Sequence, residues 1–244
     1  MTWQDEAVVL RTQLIGDADR IITLLTRHHG RARAVARGVR RTTSRFGARL
    51  EPFSYVEVEV HQGKSLDTVT RVDDVKAFGE SFALDVSRWS TGQIVLETAE
   101  RLTPVERAPA PKHFLLVTAA LRALANLSAK QSAIIDSYLL RALAIEGLAP
   151  SMNQCAGCGA AGTHEWFDTR EGGVVCGNCR SASATAPSRQ SLALIDSLLQ
   201  GDLARVQTQP ERYFLEANTL TREFFQWHIE RRLNSLRVAA QVSN

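Results

Sequence analysis

The sequence predicts a multi-domain α+β chain: a small N-terminal β-barrel, a predominantly α-helical second domain, and a four-cysteine insert interrupting the helices. Three observations carry this. Short alternating segments separated by turn signals fill the first 80 residues, Leu- and Ala-rich helical periodicity follows from about Phe78, and Cys155, Cys158, Cys176 and Cys179 form two CxxC pairs. The expected domains are 1–80 for the barrel, 81–150 together with 181–244 for the helices, and 151–180 for the insert. A chain of 244 residues with 44% hydrophobic content can bury cores of that size.

Strands are expected at 6–13, 20–26, 31–39, 55–61 and 66–72, where apolar or alternating runs are bounded by turn residues. In Tyr55-Val56-Glu57-Val58-Glu59-Val60 the valines fall on one face and the glutamates on the other, as a half-buried antiparallel strand requires. Gly63-Lys64 fits a hairpin turn into the fifth strand. Five strands at this spacing fit an OB-fold, a barrel used for single-stranded nucleic acids, and an SH3-like barrel gives a similar pattern.

Helices are expected at 88–102, 111–127, 130–147, 188–200 and 210–237, the fourth stopped by Gly201 and the last opened by Pro210. The region 155–179 carries Gly157, Gly159, Gly162, Gly172, Gly173 and Gly177, which argues for tight turns around a bound ion and against a helix or a packed strand.

Cys155-x2-Cys158-x17-Cys176-x2-Cys179 has zinc-ribbon spacing. Each CxxC bends so that two thiolates face one ion. Four thiolates close the tetrahedron and leave no position for water or substrate, so the expected site is structural, with one Zn²⁺ per chain. His164 lies between the pairs and is expected to be a solvated loop residue. No other cysteine is present, which is the usage of a reducing compartment. The N-terminus shows no basic segment followed by an apolar run, and no apolar run approaches the ~18 residues of a membrane span. A cytoplasmic, nucleoid-associated protein with no membrane contact is expected.

The net charge is only +3, but its distribution is uneven: from Arg20 to Leu50 there are nine arginines and no Asp or Glu. On a strand, Arg31, Arg33 and Arg37 share one face, with Ala32, Ala34 and Ala36 on the other. A basic loop with Arg40, Arg41, Arg45 and Arg49 follows, and the whole tract suits a phosphate backbone. Arginine is the chain's default cation, 25 against four lysines, which explains Arg in place of Lys but not the missing acids. In the last helix Phe214, Leu220, Phe224, Phe225 and Trp227 form a stripe expected to be core, and Arg231, Arg232 and Arg237 are a second candidate for DNA contact.

There is no Walker A sequence, GxSxG elbow or HExxH, and the zinc deaminase pattern fails because His164 and Glu165 are adjacent and Val175 precedes Cys176. A nuclease would need a carboxylate cluster for Mg²⁺ that the arginine tract lacks. No catalytic residue is expected, and the protein is read as a binding module, not an enzyme.

Several segments together resemble the bacterial RecO family of recombination mediators. They are Ile22-Thr23-Leu24-Leu25-Thr26 with Gly30, Ala36-Arg37-Gly38-Val39-Arg40-Arg41 with Ser44-Arg45-Phe46, and Leu50-Glu51-Pro52-Phe53. Further on come Gly147-Leu148-Ala149-Pro150, the two CxxC pairs with Phe167 and Gly173, and Gln226-Trp227-His228 with Arg231-Arg232-Leu233. The resemblance implies an N-terminal OB-fold, a helical domain and a zinc-binding insert. It also implies binding to single- and double-stranded DNA, annealing of complementary strands, contact with the single-strand-binding protein, and action with RecR to load the RecA recombinase in DNA repair. A zinc-ribbon transcription or RNA-binding factor is the alternative.

Overall fold

The computed structural model describes residues 1–44, 46–83 and 85–242, and its side-chain description leaves out positions 47, 80 and 231–242. The chain divides into two compact units, Met1–Ser128 and Ala129–Asn244.

In the first unit, β1 (Thr2–Ile15), β2 (Asp19–Thr26), β3 (Arg31–Ala36), β4 (Ser54–His61) and β5 (Asp67–Ala77) close into a barrel in the order β1-β2-β3-β5-β4. Neighbours are antiparallel except β3 and β5, which run parallel. This is the strand order of an OB-fold. Alternation sets the inward face: Val56, Val58 and Val60 of β4 are buried, and so are Ala32, Ala34 and Ala36 of β3. A short 3-10 turn, Gly47–Leu50, crosses the loop between β3 and β4, and Val39, Phe46 and Leu50 from that loop pack into the barrel core. The basic loop is thus anchored by its apolar residues.

β3 ends at Ala36, three residues before the expected end. Gly38 turns the chain at φ +67°, and its N–H is held by the Asp19 carboxylate at 2.7 Å. β1 runs on past β4. It pairs with β4 only as far as Val8, and beyond that its partner is β2, with Leu14 opposite Arg20 and Ile15 opposite Asp19. The β2–β3 turn is pinned by Asp5, whose buried carboxylate accepts the backbone N–H groups of His28 and His29 and bonds both imidazole Nδ1 atoms. Burial alone would raise this carboxyl's pKa, but those bonds hold it below the ordinary aspartate value.

The barrel shares its unit with α1 (Gly79–Phe82), α2 (Val86–Leu102) and α3 (Pro111–Asn126). The Asp85 side chain caps α2 by accepting the Arg88 N–H, and Pro111 opens α3. Phe53, fully buried and in the left-handed region at φ 73°, meets Phe82 and Trp89 edge-on at ring distances of 4.9 and 4.8 Å. The segment after α2 is tied to the barrel by a 2.6 Å ion pair between Arg107 and the buried Asp67. It runs so close to the β2–β3 turn that a Cβ on Gly30, itself at φ +69°, would lie 1.8 Å from the Ala108 carbonyl oxygen.

The second unit contains α4 (Gln131–Ile145), β6 (Trp166–Asp168), β7 (Gly173–Val175), α5 (Arg189–Gln200), α6 (Leu203–Gln207) and α7 (Glu211–Val242). Its core joins Leu140 and Leu143 to Ile195, Leu198, Phe214 and Phe224, so the expected apolar stripe of the last helix is largely core; Trp227, by contrast, is 38% exposed. Contrary to expectation, the glycine-rich insert contains a packed strand. β6 and β7 pair antiparallel, and Phe167 and Val174 belong to the unit's core. Glycine is compatible with this strand because the chain crosses closely: a Cβ on Gly173 would lie 2.3 Å from the Ser151 carbonyl oxygen.

Asp136 of α4 is fully buried. Asn218 Nδ2 donates to it at 2.5 Å, and Arg222 Nε stands 3.8 Å away. Burial outweighs both and raises its carboxyl pKa to about 7. Below about pH 4 the group is neutral in folded and unfolded chains alike. As the pH rises toward 7 the unfolded chain releases the proton first, so stability is lost over that interval, by up to about 4 kcal/mol. Asp136→Asn is expected to unfold at a higher temperature than the parent at pH 8, with the gap closing toward pH 4. Thermal scans across pH check this, and a gap independent of pH would contradict it.

Candidate nucleic-acid interface and metal centre

The arginines of the basic tract fall into two groups. Arg31 and Arg33 share the outward face of β3, as alternation requires, but both are engaged by the segment after α2. Arg31 donates from Nε to the Thr103 carbonyl at 2.7 Å and from Nη2 to the Pro104 carbonyl at 2.6 Å. Arg33 Nε meets Glu106 at 2.5 Å. Arg31→Ala is therefore expected to destabilise the first unit by about 1–3 kcal/mol, the value of one or two hydrogen bonds from a charged donor. Urea titration measures this, alongside a smaller change in DNA affinity. A large affinity loss at unchanged stability would instead place Arg31 against phosphate.

Arg37, Arg40 and Arg41 form the second group. All three are exposed on the turn that follows β3, and among the described residues no carboxylate pairs with any of them. The turn is held against the tip of the β1–β2 hairpin: the Arg40 N–H bonds the Ala18 carbonyl at 3.1 Å, and Arg40 Nη1 bonds the Asp17 carbonyl at 2.8 Å. Arg49, at the far end of the loop, is exposed and meets Asp74 at 2.8 Å. Arg45 lies outside the described residues, and Arg231, Arg232 and Arg237 lie outside the described side chains. Sequence reasoning missed the 103–107 segment, because nothing local marks Thr103 or Glu106 as partners of a strand some seventy residues earlier.

The four cysteines come together in the second unit, their Sγ atoms all within 4.8 Å of one another. Two similar knuckles bring them there. The Gly159 N–H bonds the Cys155 carbonyl at 2.8 Å, and the Arg180 N–H bonds the Cys176 carbonyl at 3.1 Å. The first knuckle is fastened to β7 through the Ala156 N–H and the Val174 carbonyl at 2.8 Å. The Cys176 N–H donates to Cys155 Sγ at 3.3 Å, and Gly157 leaves room, since a Cβ there would lie 3.0 Å from Cys179 Cβ.

These residues fit a metal ion. Thiolates about 2.3 Å from a tetrahedral centre stand about 3.8 Å apart, and Cys158 and Cys176 Sγ are 3.9 Å apart. Protein charges alone do not let all four ionise. The Cys176 N–H lowers the Cys155 thiol to about 6, whereas hydrogen bonds from Cys179 to Cys176 and the other sulfurs raise the Cys179 thiol to about 12. A divalent cation is the partner that lets the whole set bind as thiolates. His164 turns to the Ala160 carbonyl at 2.9 Å, in keeping with a loop residue.

Comparison with known proteins covers nearly the whole chain. Residues 1–78 match the family described as "Recombination protein O N terminal", and residues 83–237 match "Recombination protein O C terminal". The chain is 46% identical over 239 residues to a "DNA repair protein RecO" of Nocardioides sp. (strain ATCC BAA-499 / JS614), covering 97% of this chain and 98% of that protein. It is 47% identical over 240 residues to a protein of the same description from Thermobifida fusca (strain YX), covering 98% and 99%.

Proposed function

The chain belongs to the RecO family of DNA repair proteins, and from that premise we propose that it is a mediator that binds DNA strands and anneals them without breaking bonds. The observation that carries this reading is the exposed trio Arg37, Arg40 and Arg41, free of carboxylate partners among the described residues, at one end of an OB-fold barrel. Two complementary strands repel each other through their phosphates. A loop of arginines that neutralises both backbones lets the bases meet, and this step needs no nucleophile, general base or nucleotide.

The remaining members of the tract, Arg31, Arg33, Arg45 and Arg49, belong to the proposed surface, with Arg31 and Arg33 serving chiefly to shape the barrel beneath it. In this reading the protein works in the cytoplasm at the nucleoid, on single strands covered by the single-strand-binding protein, and helps RecR load RecA there. The metal is zinc, one ion per chain, held by Cys155, Cys158, Cys176 and Cys179. With all four positions taken by thiolates, it stabilises the second unit and supplies no reactive water.

The test is annealing of complementary DNA oligonucleotides by the purified protein, with an RNA competitor in a parallel arm. Faster annealing without nucleotide, resisted by DNA competitor more than by RNA, is expected. Preferential capture by RNA would favour the zinc-ribbon RNA-binding alternative, and strand degradation would reveal an enzyme.

A further inference from the structure

At the tip of the β1–β2 hairpin Leu14 is 66% exposed and Ile15 is 41% exposed, in a stretch where β1 has run past β4 and pairs with β2 alone. Hairpin tips are ordinarily polar, and two branched aliphatic side chains there, one on each face of the ribbon as strand alternation requires, carry a cost in water that a binding partner would remove. Their setting identifies the partner's chemistry. The residues that follow them, Asp17 and Ala18, are hydrogen-bonded through their carbonyls to Arg40, and Asp19 holds Gly38. Those bonds fix the apolar tip beside Arg37, Arg40 and Arg41.

An apolar projection beside arginines that have no carboxylate partner among the described residues matches a ligand that is polyanionic along its backbone and flat and weakly hydrated on its faces. Nucleic acid has that combination, and proteins insert Leu and Ile side chains against base steps in this way. We propose that Leu14 and Ile15 pack against the unstacked bases of a bound strand while Arg37, Arg40 and Arg41 hold its phosphates. The inference rests on the DNA-binding reading above and deepens it: the arginines supply attraction, and the tip supplies a contact that only bases can make. A strand held with its bases splayed against the tip is presented for pairing.

The experiment compares two single-stranded oligonucleotides of equal length, one with normal bases and one abasic throughout its centre, using the full-length protein and its Leu14→Ser/Ile15→Ser variant. Wild-type protein is expected to bind the normal strand about tenfold more tightly than the abasic one, the scale expected for partial burial of two aliphatic side chains. The variant is expected to lose that preference while keeping its affinity for the abasic strand and the same dependence on salt. Both substitutions lie on the exposed ribbon, and circular dichroism checks that the barrel is intact. A variant that keeps the preference, or a wild-type protein that has none, overturns the inference and assigns the tip to another class of partner, such as a protein. Failure of the wild-type protein to bind either strand overturns the DNA reading itself.

Discussion

Reversing Arg37, Arg40 and Arg41 together to glutamate is expected to weaken binding to single-stranded DNA by roughly 100-fold or more at moderate salt, by a similar factor for unrelated sequences. The size follows from counterion release. If about five phosphates are neutralised by the loop, log affinity of the wild-type protein should fall with log salt at a slope of roughly −3 to −4, and removing three contacts should flatten the slope by about 2. The fold should survive, because the loop is anchored by buried Val39, Phe46 and Leu50 and the three guanidinium groups lie on its outside. Fluorescence anisotropy across salt, with circular dichroism as the control, measures both. Full binding by the triple variant, or a flat salt dependence in the wild type, would move the site elsewhere, with Arg231, Arg232 and Arg237 the next residues to change.

Cys176→Ser should have the largest effect on stability. Structural zinc bound by such sites contributes about 10–16 kcal/mol in isolated fingers, against a total domain stability of roughly 5–15 kcal/mol. The insert is no appendage: Phe167 and Val174 sit in the core with Phe214 and Phe224, and His228 Nε2 meets the Thr169 carbonyl at 3.1 Å. Loss of the ion should therefore loosen the whole second unit and not the two knuckles alone. Elemental analysis of the purified protein should find one zinc per chain. The variant should lose that zinc and the cooperative unfolding of the second unit, with DNA affinity reduced less than stability. Native protein with no metal, four freely reactive thiols and undiminished stability would contradict the zinc assignment.

Elements with strong local signals were legible in the sequence. The alternation of Val56, Val58 and Val60 located β4, Gly201 ended α5, and the CxxC spacing identified four sulfurs that do converge. What the sequence concealed depends on contacts distant along the chain. β3 stops at Ala36 because Asp19 captures Gly38, and Arg31 faces two carbonyls because the segment after α2 returns to the barrel. Glycine content misled at β7: Gly173 marks a close crossing with Ser151, while Val174 and Val175 beside it are buried. The exposure of Leu14 and Ile15 was likewise hidden, since both follow the expected strand 6–13 and nothing local shows that β1 runs on past its pairing with β4.

Annealing of coated strands is the sharpest test of the mediator role. Complementary single strands, each coated with the cognate single-strand-binding protein, are mixed with the wild-type protein or with the Arg37, Arg40 and Arg41 reversal, without ATP, and duplex formation is followed over time. The mediator role requires rapid duplex formation with the wild-type protein, intact strands throughout, and a rate at the uncatalysed level with the triple variant. An unchanged annealing rate with wild-type protein at low salt, where it demonstrably binds the strands, would contradict it.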